Sequence, residues 1–175
     1  MLDSLTTLLQ PWADLYSNNT VLSTAVLVIH VLSMFIAGGM AIGADRAILR
    51  AVPGTGESAR AVVADMAMTH TIVLGALTVT VVSGLALFTS DIATFAVSKV
   101  YWAKMLTVCA LLANGLRLRR SEGAVMRPLV NVPLYTTEMP VAFPLKEWGK
   151  VRSAAAVSMA LWCLVVVLGV VLMNV

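Results

Sequence analysis

Residues 21–42 read VLSTAVLVIHVLSMFIAGGMAI, a run with no formal charge. A helix needs about 20 predominantly apolar residues to cross the hydrocarbon core of a bilayer, and this run supplies them. It lies inside a longer uncharged stretch bounded by Asp14 and Asp45. Working outward, Met66 to Ser90 is a second charge-free run, between Asp65 and Asp91. Phe95 to Leu116 is a third, interrupted by Lys99 and Lys104, and Ser153 to Val175 is a fourth without any charge.

The composition agrees with these runs. Of 175 residues, 59% are hydrophobic and 12% charged, and the mean hydropathy is +0.91. Soluble domains are about half apolar and a quarter charged, so a water-soluble fold is excluded, as is disorder. The two cysteines cannot staple a chain of this size. The formal charge of +3 sits in loops between apolar runs and not on one exposed face, so it argues topology and no nucleic-acid partner.

Each run is too long for one strand and lacks the alternation of a membrane barrel, which leaves an all-α bundle as the structure that satisfies the backbone in lipid. The expected architecture is a single membrane domain over 1–175. It has four transmembrane helices at 21–46, 62–89, 95–117 and 152–174, with a short interfacial helix at 1–16. Ten of the twelve Lys and Arg residues follow the first or third span, against Lys99 and Lys104 on the other side. Cytoplasmic loops retain positive charge, so both termini are expected outside.

The first residues lack the basic region of a secretory signal, with Asp3 in its place. Leu2, Leu5, Leu8, Leu9 and Trp12 recur at helical spacing, as in a helix lying in the membrane interface, and Pro11 is expected to bend or stop it. Residues 121–150 hold Pro128, Pro133, Pro140 and Pro144 among apolar residues such as Leu134, Tyr135 and Trp148. This proline density predicts an extended cytoplasmic arm packed on the bundle or on another membrane subunit.

Two histidines are the main candidates for chemistry. His30 is deep in the first run, where an ionisable side chain is by default functional and faces the interior. Its alternative is a neutral imidazole bonded to Ser33, Thr78 or a carbonyl for packing. His70 is shallow in the second run. The Met66-x-Met68-x-His70 spacing offers soft ligands for Cu(I), but ligands two residues apart on a helix do not converge.

Neutral imidazoles from neighbouring helices can hold a b-type haem. At 1.5 Å per residue His30 stands about 24 Å above Arg46 and His70 about 15 Å above Arg60, so bis-histidine ligation by His30 and His70 is strained. Lys104, about 20 Å above Arg117, matches the depth of His30. It either snorkels outward with Lys99 or meets a haem propionate or a quinol headgroup. Arg46, paired with Asp45 as an interfacial anchor, is also placed for an anionic ligand. Gly38, Gly39, Gly43, Gly75 and Gly84 permit close helix approach. Common nucleophile, zincin, P-loop and dinucleotide motifs do not occur, and no catalytic residue is assigned.

Val28-Ile29-His30-Val31-Leu32 with Gly43-Ala44-Asp45-Arg46, Val82-Ser83-Gly84-Leu85-Ala86-Leu87-Phe88, Tyr101-Trp102-Ala103-Lys104-Met105 with Ala113-Asn114-Gly115, and Val157-Ser158-Met159-Ala160-Leu161-Trp162 occur in this order. In them the chain resembles the copper-resistance-D-like superfamily of bacterial four-helix membrane proteins. That superfamily includes a four-helix protoporphyrinogen oxidase type that binds haem b, whose first-helix His, later Arg and third-helix Lys look like His30, Arg46 and Lys104. The chain departs from it in having Ala37 where a Trp is expected and in ending Met173-Asn174-Val175. The resemblance implies a small membrane redox protein or redox-complex subunit with one haem b on His30, His70 as a possible second ligand, and quinone as a possible partner. Two further readings stay open: a cofactor-free accessory subunit docked through the arm and N-terminal helix, and copper transport.

Overall fold

The computed structural model describes residues 2–51, 56–130 and 145–174, with the side chains of 2, 3, 56–68 and 126–130 excepted. These residues form α1 (Leu2–Asn18), α2 (Thr20–Arg50), α3 (Gly56–Ser90), α4 (Ile92–Val97), α5 (Lys99–Val130) and α6 (Leu145–Leu172). Among the described residues the chain is all-helical. The segments Thr20–Arg50, Thr69–Ser90 and Leu145–Leu172 are long and apolar enough to cross a membrane.

The radial distribution of residues is inverted relative to a water-soluble bundle. Val21, Phe35, Leu106 and Val170 point outward, each more than half exposed, while Ser33, Asp45, Thr107, Asn114, Glu122 and Ser158 are buried. Such an arrangement suits a hydrocarbon solvent, which rewards no burial of apolar side chains but penalises outward polar ones. Hydroxyls on the apolar helices are satisfied locally: Thr78 donates to the Leu74 carbonyl at 2.9 Å and Thr89 to that of Leu85 at 2.8 Å.

Helix ends carry their own signals. Asn19 caps α2 by accepting from the Leu22 N–H at 3.0 Å, and Asp91 caps α4 by accepting from Thr94 at 3.1 Å. Ser98 ends α4 in extended backbone, and its hydroxyl accepts from the Tyr101 N–H at the start of α5. The third run is therefore broken at Ser98 and does not form one helix over 95–117. Its C-terminal part continues well past Arg117, through Pro128 to Val130. The proline-rich arm shrinks accordingly: 121–130 belong to α5, 145–150 to α6, and 131–144 lie outside the described residues. Pro11 likewise sits inside α1 without ending it. A proline in a helix removes one backbone hydrogen bond, and that loss is tolerated here.

The long helices pack in the order α3, α2, α6, α5, and among the described residues α3 meets α5 only sparingly. The result is a three-sided trough with its open side between α3 and α5. One end is closed by aromatic residues: Phe88 stacks on Tyr101, and Trp12 of α1 donates to the Ala86 carbonyl at 3.1 Å. The other end is filled by Ile48, Leu118, Val125, Trp148 and Val151. There Arg152 donates to the Leu49 carbonyl near the end of α2. Midway, Ala37, Leu111 and Trp162 form a separate apolar layer. Gly38 allows it, since a Cβ there would stand 3.0 Å from the Trp162 ring. Gly39, Gly43 and Gly75 face nothing within 4 Å, so the Gly39/Gly43 step makes no internal contact.

Candidate functional site

The apolar layer around Trp162 separates two polar stations. At the first, nearer the α1 end, the His30 Nδ1 lies 3.1 Å from the Thr80 carbonyl oxygen and 3.0 Å from the Ser83 hydroxyl. Ser33 and Thr80 share a hydrogen bond at 2.8 Å beside it. A carbonyl oxygen only accepts, so in the neutral ring Nδ1 carries the proton and Nε2 keeps its lone pair. Gly84 makes room for the ring, because a Cβ there would approach the His30 Cε1 to 3.1 Å. Lys104 is half-buried, with its ammonium close to Gly169 of α6, and acts electrostatically on His30. It thus turns inward and does not snorkel with Lys99.

The second station lies in a cavity of about 350 Å³ bounded by α2, α3, α5 and α6. Its walls are mostly aliphatic, with Leu74, Leu77, Leu111 and Leu112 among them and Trp162 at one end. Its polar groups are Asp45, Thr69, His70, Arg119, Glu122 and Ser158. Asp45 is 2% exposed, takes a hydrogen bond from Ser158, and leaves Oδ2 without a partner among the described residues. Glu122 is 7% exposed, with Oε2 3.5 Å from the His70 Nδ1 and Oε1 unpartnered among the described residues. Burial, followed by the neighbouring Asp45 charge, pushes the Glu122 carboxyl up to about 7, against an opposing pull from Arg119. A carboxyl so placed can take up and release a proton near neutral pH.

The four residues singled out in the sequence are dispersed. His30 and Lys104 share the first station and His70 belongs to the second. His30 bonds to Thr80, ten residues along α3 from His70, which is about 15 Å of helix. Two ligands of one iron must stand a few ångströms apart, so His30 and His70 do not share a site. Arg46 is exposed, whereas Asp45 beside it is buried, so the pair does not act as one interfacial anchor. The side chains of Met66 and Met68 lie outside the described residues. Among the described residues, no three His, Cys, Asp or Glu side chains gather closely enough to hold a metal ion.

Sequence reading missed Glu122, Arg119, Ser158 and Trp162 as site residues and took Asp45 for an anchor. One local signal was available, since Arg119 and Glu122 at i, i+3 share a helix face. It needed the knowledge that α5 runs past Arg117. Set against known protein families, curated proteins and solved structures, the chain finds no match in any of the three.

Proposed function

We propose that the chain is a four-span membrane redox protein, or a subunit of a membrane redox complex, of a bacterial inner membrane, with both termini periplasmic and one b-type haem held by His30. The observation that supports this most directly is the Thr80 carbonyl on Nδ1. It orients the half-buried imidazole and leaves the Nε2 lone pair for a ligand, the arrangement that metal-ligating histidines use. Lys104 stands near as a cation for an anionic edge of the cofactor. A haem there would supply one-electron transfer, with its potential set by the ligand and the polarity around it. His70 is assigned elsewhere, so ligation rests on His30 alone among the histidines.

The span count extends the three apolar helices by α5. Its stretch from Lys99 to Leu116 carries Lys99 and Lys104, of which the second is turned inward. The basic residues after α2 and within the end of α5 support a cytoplasmic location for that end of the bundle. Reporter fusions at both termini test this: alkaline phosphatase active and cytoplasmic fluorescence absent at each.

The haem reading is tested by a dithionite-reduced minus oxidised spectrum of protein purified in mild detergent from haem-replete membranes, with pyridine haemochrome quantification. A b-type band near one haem per chain is expected, lost in His30→Ala and kept in His70→Ala. A flat spectrum for the unmodified chain refutes it.

A further inference from the structure

Apart from the histidine of the first station, the cavity at the second has chemistry of its own. Two carboxylates, one guanidinium and one imidazole converge on an apolar chamber within the size range of small-molecule sites. Among the described residues Asp45 Oδ2 and Glu122 Oε1 are buried acceptors without partners, and a buried polar atom left in that state is costly unless something occupies the position. Each class of occupant meets a different balance. A lipophilic cation would suit the carboxylates but meet Arg119. A fatty acid or phosphate would suit Arg119 but meet two carboxylates. A hydrocarbon would leave both acceptors unsatisfied.

The charges sum to neutrality when the close His70 and Glu122 pair holds one proton and Asp45 balances Arg119. A neutral ring bearing hydroxyls or carbonyls fits this site, with donors for the carboxyl oxygens, acceptors for Arg119 and a flat face for Trp162. Access is lateral. Among the described residues α3 and α5 make few contacts, and Leu74, Leu112 and Leu116 line the cavity while staying 41 to 59% exposed. A ligand dissolved in the apolar surroundings can enter between them.

We infer that this cavity binds a neutral quinol or quinone carrier, its ring on the apolar walls against Trp162 and its oxygens at Asp45, His70, Arg119 and Glu122. The choice of a redox carrier rests on the membrane redox reading above; the geometry of the cavity does not.

The experiment is fluorescence quenching of the full chain in nanodiscs by decylubiquinone, since Trp162 lines the cavity and quinones quench indoles on contact. A saturable component is expected, displaced by decylubiquinol and not by tetraphenylphosphonium. Gly115→Leu should abolish it, because Gly115 borders the cavity and a side chain there meets no other atom within 4 Å of its Cβ. Glu122→Gln should weaken binding by about tenfold through loss of a charge-assisted partner, and Gly39→Ala, at a position that does not line the cavity, should leave it unchanged. Quenching that only rises linearly, a saturable component indifferent to both Gly115→Leu and Glu122→Gln, or displacement by tetraphenylphosphonium overturns the inference. The haem spectrum of the same sample separates the two proposals. Haem without saturable quenching removes the cavity site alone, and saturable quenching without haem removes the His30 reading alone.

Discussion

Replacing Glu122 by Gln should change how the protein's stability depends on pH, and the sign follows from its surroundings. Its carboxyl rises from 4.5 in the unfolded chain to about 7 in the fold through burial and the charge of Asp45. The folded state therefore binds the proton more tightly than the unfolded one. Below about 4.5 both states are protonated, and above about 7 both are ionised. Between those values stability falls as pH rises, because the unfolded chain loses its proton first. The full loss is roughly 3 kcal/mol at 1.36 kcal/mol per pH unit, discounted where solvent reaches the carboxyl. For a chain of this length that is on the order of 5–10 °C of unfolding temperature. Gln at 122 cannot ionise, so its stability curve should be flatter than the parent's between pH 5 and 8, with the variant relatively more stable at pH 8. Scanning unfolding in detergent at one heating rate, read from tryptophan emission with Trp148 and Trp162 buried, compares the two profiles. Parallel profiles would refute the placement of Glu122 in a desolvated site beside Asp45.

Gly38→Ala should destabilise by about 1–3 kcal/mol, less the helix preference of Ala, because the new methyl meets the buried Trp162 ring. Gly39→Ala, facing nothing within 4 Å, should stabilise by up to about 1 kcal/mol; the same unfolding scans read both, and equal effects would contradict the packing. Asn19→Ala removes the oxygen that accepts from Leu22 and should cost about 1 kcal/mol, checked by the same scans and restored by Asn19→Asp. Thr80→Val should leave the haem content of the chain unchanged, since His30 bonds to the Thr80 carbonyl and not only to hydroxyls. Ser83→Ala should shift the reduced-band position or midpoint potential without loss of haem, which redox titration reads.

Particular residues show where sequence sufficed. Uncharged runs such as 21–42 imply helices because hydrocarbon forbids unpaired backbone groups, and that constraint acts locally along the chain. His30 was legible as an interior residue for the same reason: a lone imidazole amid aliphatic residues has no favourable outward position. Which residues partner it was not legible. The expectation named Ser33, Thr78 or a carbonyl; the ring meets a carbonyl, that of Thr80, together with the Ser83 hydroxyl, and which residues supply them depends on the rotation of α3 about its axis, which packing sets. Helix ends were also misjudged where proline and local polarity compete with packing, as at Pro11, Ser98 and Pro128.

The sequence by itself determined that this is an apolar, helical chain with few interior polar groups, since composition and run length act through solvation one segment at a time. Only the tertiary structure decided which of those groups meet. Asp45, His70 and Glu122 come from three helices and lie 25 and 52 residues apart along the chain. Their convergence depends on the order in which helices pack and on which face each turns inward, and neither is encoded in any single segment.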